Sequence, residues 1–148
     1  MRALFAFVAF LIAGPALAGD MMVMDPYART SRPGAPTGAV FMVLHNMSEA
    51  DDRLLGVRTD AAKRAELHTH IDDNGVVKMR KVEEGIAIPA GQVRELTRGA
   101  DHVMLLGVTQ DLIDGETIPL TLMFEVAGEI TLNVPVDSAR GQAGAHKH

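Results

Sequence analysis

Apolar residues in this chain come in short runs that alternate with polar ones. No window of twelve or more residues carries a clean helical period. The runs are broken by Gly, Pro, Asn and Asp clusters at intervals of about ten residues, the pattern of an all-β sandwich or barrel. Strands are predicted at Met22–Tyr27, Ala39–Asn46, Arg53–Val57, Ala65–Ile71, Val76–Val82, Gln92–Leu96, His102–Val108, Ile118–Glu125 and Glu129–Val136. Asp72-Asp73-Asn74-Gly75 predicts a tight hairpin, because Asn-Gly tolerates the positive φ values such turns need. Pro89-Ala90-Gly91 and Ala127-Gly128 are further turns, and Thr30 to Pro36 reads as an ordered loop. Thr59 to Lys63 is expected to form one helical turn. No internal repeat is evident.

Both ends depart from this pattern. Met1-Arg2 gives a positive start, Ala3 to Ala13 an apolar run, and Ala16-Leu17-Ala18 a small-residue site. This is the layout of a secretory signal cleaved after Ala18, so residues 1–18 are set aside and an exported protein is expected. The run falls short of the roughly 20 apolar residues that span a membrane, and no membrane insertion is expected. Removing 18 of 148 residues leaves 130, a length that suits one domain, taken as 19–137. From Ser138 to His148 the composition turns to Gly, Ala, Gln, Lys and His, which reads as a flexible tail.

Charge and cysteine usage narrow the partners. The formal net charge is −5, with no basic block, which argues against nucleic acid and anionic membranes. The chain has no cysteine. Disulfides are therefore excluded, as is a blue-copper electron-transfer site, which needs a thiolate. With no cysteine near the cleavage site, no lipoprotein anchor is expected.

Methionine is frequent instead, with nine in the chain alongside six histidines. In His102-Val103-Met104 the two donors lie two residues apart on a predicted strand, on one face and roughly 6.5–7 Å apart. Imidazole plus thioether suits copper(I), a soft cation, better than magnesium, calcium or manganese. His68 and His70 share one face of Glu66-Leu67-His68-Thr69-His70. Met79 lies on the next strand across the Asp-Asn-Gly turn, so the hairpin can bring it near His68. His68, Met79, His102 and Met104 are thus four neutral donors that one metal could use. Read from residues alone, the bland alternative stays open: a strand methionine is commonly core filler, and a lone histidine a surface or hydrogen-bonded residue.

His70 is a further candidate donor. His146 and His148 could bind copper(II) at the tail, or simply end it. Met21-Met22-Val23-Met24 reads as the start of the first strand and His45 as structural. An enzyme is not expected: there is no Gly-x-Ser-x-Gly, no His-Glu-x-x-His and no phosphate loop. Asp51 and Asp52 are better explained as turn and strand-start residues. A metal-free sandwich serving as an assembly module stays open beside a metal carrier.

Several motifs in order carry a resemblance. They are Tyr27-Ala28-Arg29 with a Pro-Gly loop, Gly38-Ala39-Val40-Phe41, Asn46, Asp52-Arg53-Leu54 and Glu66-Leu67-His68. Met79-Arg80, Ile88-Pro89-Ala90-Gly91, His102-Val103-Met104-Leu105 and Phe124-Glu125 follow. From about Met22 to Val136 the chain resembles the periplasmic copper(I) chaperones of the PCu(A)C type. Ten residues separate His68 from Met79 and twenty-two separate Met79 from His102, one more than the family's spacing. The excess falls at Val82-Glu83-Glu84-Gly85, where a turn tolerates insertion. The resemblance implies a cupredoxin-like Greek-key β-sandwich. It also implies Cu(I) held by His68, Met79, His102 and Met104 near one end, in a monomeric carrier. The implied client is a copper-accepting protein, most often cytochrome c oxidase subunit II at its dinuclear copper centre, or another assembly factor. A copper-storage or scavenging role would use the same site.

Overall fold

A computed structural model describes residues 20–140 of the chain. The expected signal at 1–18 and the tail histidines His146 and His148 lie outside the described residues. Ten strands follow in order: β1 (Met21–Arg29), β2 (Thr37–Asn46), β3 (Asp52–Arg58), β4 (Ala62–Asp73), β5 (Val76–Lys81), β6 (Ile86–Ile88), β7 (Val93–Leu96), β8 (His102–Val108), β9 (Thr117–Phe124) and β10 (Gly128–Pro135). They form two antiparallel sheets. One has six strands in the order β1-β2-β8-β4-β5, with β7 also on β2; the other has four, β10-β9-β3-β6. The chain changes sheet between β2 and β3 and again between β3 and β4, so neither sheet forms alone.

Alternation decides the layers. Val40, Met42 and Leu44 of β2 point inward with Leu67 of β4 and Val103 and Leu105 of β8. They meet Leu54 of β3, Ile86 and Ile88 of β6, Leu120, Leu122 and Phe124 of β9, and Val134 of β10. Each such side chain contributes about 1.5–3 kcal/mol by leaving water. The residues between them face outward, and on the six-stranded sheet these include every candidate donor among the described residues.

Two sequence expectations are corrected. Thr59 to Lys63 is no helical turn: only Asp60 and Ala61 turn, and β4 already begins at Ala62. The stretch before β7 holds an unforeseen strand, β6, whose Ile86 and Ile88 are buried and whose residues pair with Asp52 to Leu54. The tail expected from Ser138 begins with residues tied to the sandwich. The Thr30 N–H donates to Ser138 Oγ (3.2 Å), and the Arg140 guanidinium lies 4.4 Å from the centre of the Tyr27 ring. Pro26 is admitted to β1 by a bulge, where the register shifts and Asp25 takes a φ of 49°.

Candidate metal centre

The hairpin predicted at Asn74-Gly75 sets the first half of the site. Both residues have positive φ, 55° and 85°, the twist that matches two flanking strands. The Gly75 N–H is further held by Asp72 Oδ1 at 2.7 Å. The resulting register places His70 opposite Met79 and His68 opposite Lys81. On the other side of β4, His68 lies opposite His102 and Glu66 opposite Met104. Directly opposed residues in an antiparallel pair share a face. His68, His70, Met79, His102 and Met104 are therefore one outward-facing group over three neighbouring strands.

Each imidazole has an acceptor on one nitrogen. His68 Nε2 donates to Glu66 Oε2 at 2.9 Å. His102 Nδ1 and His70 Nδ1 both donate to the Ala100 carbonyl, at 3.0 and 3.2 Å. The opposite nitrogen of each ring is then the bare one, able to bind a metal. For His68 that nitrogen, Nδ1, is buried and has no hydrogen-bond partner among the described residues. A carboxylate on one ring nitrogen and no partner on the other is how proteins commonly orient a metal-binding histidine. Buried polar atoms are otherwise almost always paired, so the unpartnered nitrogen fits the chemistry of a metal ligand. The rings are neighbours: centroids lie 6.0 Å apart for His68 and His102, and 5.4 Å for His70 and His102.

Electrostatics favour neutral imidazole at the centre. His102 is only 3% exposed. Burial lowers its pKa below the ordinary histidine value; the Ala100 carbonyl partly offsets this, and charge on His70 or His68 lowers it further. The hydrogen bond from His68 holds the Glu66 carboxyl below its usual range, against the cost of burial and helped by Lys81 and Arg64. Lys81 Nζ and Arg64 Nη1 lie 3.6 and 3.5 Å from Glu66 Oε1. Phe41 packs at 6.1 Å from the His102 ring, with Tyr27 5.3 Å beyond.

A cleft of about 460 Å³ opens over the group, lined by His70, Met79, His102 and Met104 but not by His68. His68 sits behind it, turned to Glu66. Among the described residues no three His, Asp or Glu side chains are grouped as a metal site by themselves. The capacity for a metal thus rests on a mixed nitrogen and sulfur set, which selects a soft ion. Sequence reasoning missed Glu66, the Ala100 carbonyl and Phe41. Glu66, two residues before His68 on the same strand, was open to the alternation rule, whereas cross-strand register brings Phe41 to His102 and His70 to the Ala100 carbonyl.

The neighbourhood of this fold is consistent. A structure described as the copper-bound PCuAC domain from PmoF2 superposes with a TM-score of 0.69 at 23% identity, over 81% of this chain and 94% of that one. The solution structure of CuI-DR1885 from Deinococcus radiodurans gives 0.63 at 29%, over 80% of each chain. Among curated relatives, "Putative lipoprotein Lxx21020" of Leifsonia xyli subsp. xyli (strain CTCB07) is 31% identical over 108 residues, 73% of this chain. The chain spans 65% of that relative's length. The cupredoxin-like sandwich of the PCuAC domains is therefore the fold of this protein. Residues 21–136 match the family described as "Putative lipoprotein LpqE-like", and the chain belongs to that LpqE-like family, of the PCu(A)C type.

Proposed function

We propose that this protein is an exported, periplasmic copper(I) carrier. His68, Met79, His102 and Met104 hold the ion, and it passes to a client in the assembly of cytochrome c oxidase, subunit II or another assembly factor. The observation that carries this reading is the buried, unpartnered Nδ1 of His68, backed by Glu66 and sharing a sheet face with His102 and two methionines. Supporting it, two similar structures are described as copper-bound, one of them with copper(I). A relative described as a lipoprotein favours export. His70, opposite Met79, is a fifth donor that can stand in for a departing one.

Release follows from graded exposure. Met79 is 48% exposed on β5, the edge strand, whereas His102 is 3% exposed at the centre. An incoming ligand can displace the Met79 thioether first, then Met104 across the cleft, with the more enclosed His68 and His102 last. Stepwise exchange lets tight binding coexist with transfer. Storage of copper at the same site is the competing role; an exposed donor on the edge strand favours transfer.

Protein purified and reconstituted under reducing conditions should bind one copper(I) per chain. X-ray absorption should show sulfur and nitrogen together in the first shell. A shell of nitrogen and oxygen alone, or no bound copper, overturns the proposal.

A further inference from the structure

Two cations in the cleft have no part in holding copper. Arg29 and Arg98 both line it, and no aspartate or glutamate does, in a chain of net charge −5. Arg29 ends β1 opposite Ala39, and Ala39 is also opposite Met104. The row therefore runs Arg29, Ala39, Met104 on one face, with backbones two strand spacings, roughly 9–10 Å, apart. Only the small Ala39 separates the arginine from the methionine. Arg29 Nη1 is buried and has no hydrogen-bond partner among the described residues. A guanidinium keeps its charge and its donors at any physiological pH, so it cannot escape this by deprotonation. Thr37, next to the row, adds a hydroxyl to the same cleft.

We infer that the cleft is a carboxylate-binding subsite beside the metal, with Arg29 as its fork and Arg98 as its second charge. The metal half of the inference rests on the copper reading; carboxylate binding to the metal-free protein does not. Neutral donors leave copper(I) with its full positive charge. Two guanidiniums in the same cleft oppose that charge, and a carboxylate between them offsets the repulsion. Carboxylate and copper should then bind cooperatively, each raising the affinity of the other by one common factor. The carboxylate comes either from a small free acid or from an aspartate or glutamate of the protein that exchanges copper.

Acetate is the first probe. Metal-free protein is titrated with sodium acetate at constant ionic strength, with perchlorate as the replaced anion, and followed by NMR at the Arg29 Nε–H. Saturable shifts are expected. Copper(I) affinity, from chelator competition, should rise about fivefold or more at saturating acetate. The rise should disappear in Arg29→Gln and shrink in Arg98→Gln, whose exposed position spares the fold if Arg29→Gln does not fold. A short peptide with aspartate beside methionine is the second probe. Tighter binding than acetate assigns the subsite to a protein partner's acid, and equal binding assigns it to a free one. Absence of saturable shifts in metal-free protein, or an equal acetate response in wild type and both variants, overturns the inference. Saturation at Arg29 with no copper bound would instead leave the subsite standing and remove the copper reading.

Discussion

Met42 and Met104 show how position divides one residue type into two roles. Met42 points inward from β2 and is 2% exposed among leucines and valines, the gap-filling use of methionine. Met104 points outward from β8, opposite Glu66, half-buried beside the cleft. Strand alternation was enough to place His102 and Met104 on one face from sequence, and the Asn-Gly turn was enough to place Met79 near β4. Alternation also puts Glu66 on the face of His68, two residues along the same strand, but it could not show that His70 shares the Ala100 carbonyl with His102 or that Phe41 packs on His102, because those contacts depend on register across strands. If Met104 serves packing, Met104→Leu conserves volume and costs under about 1.5 kcal/mol of stability with no other effect. The expectation here is a strong loss of copper(I) affinity with the melting temperature of the metal-free protein nearly unchanged; His102→Ala should lose copper as strongly, but it empties a buried position and should also melt lower. Chelator competition beside thermal melts checks this; normal copper binding by Met104→Leu would make the methionine packing filler and remove it from the site.

At the scale of elements, hairpins and long alternating strands were legible and short or irregular pieces were not. β6 is three residues between two turns, too short to display a period, and its strand character comes from pairing with β3. Ala61 and Ala62 suggested helix by composition, yet both are buried in the core, which uses them as small residues at the start of β4. The other sheet has its own polar anchor. Asp52 Oδ1 accepts from the Arg53 and Val126 N–H groups at 2.7 and 2.8 Å, and Oδ2 from the Ala127 N–H at 3.0 Å. This ties β3 to the turn between β9 and β10. Asp52→Ala orphans those donors and should cost about 1–3 kcal/mol per group left buried and unpaired. Because Asp52 lies in the four-stranded sheet, copper(I) affinity should hold. Loss of affinity without loss of stability would mean that the two sheets are coupled in a way their packing does not suggest.

For the whole molecule, the sheet faces divide the labour: the inner face of the six-stranded sheet stabilises the sandwich, and its outer face carries the histidines on which pH acts. His102, lowered by burial, takes up a proton less readily in the folded chain than its ordinary value of 6.5 allows. Its contribution to stability is therefore fully present above that value and is lost as pH falls through the lowered folded value. Glu66, lowered chiefly by His68, acts in the same direction but further toward acid: its contribution is present above its ordinary 4.5 and fades as pH drops through its folded value. Metal-free protein should thus lose stability first as His102 takes up its proton and then, further toward acid, as Glu66 does, together with Asp101, Glu84 and Glu129, whose carboxyls are also held below their usual range. Copper opposes the histidine step, since a bound histidine must be neutral while a thioether has no proton to lose. Copper(I) affinity should be nearly flat above about pH 7.5 and fall below about pH 6, with a limiting slope approaching two protons per ion. With no thiolate, no further gain is expected through about pH 8–9. Chelator competition from about pH 5 to 9 measures the profile. A flat line across that whole range would take both histidines out of the site and leave the methionines alone with the metal.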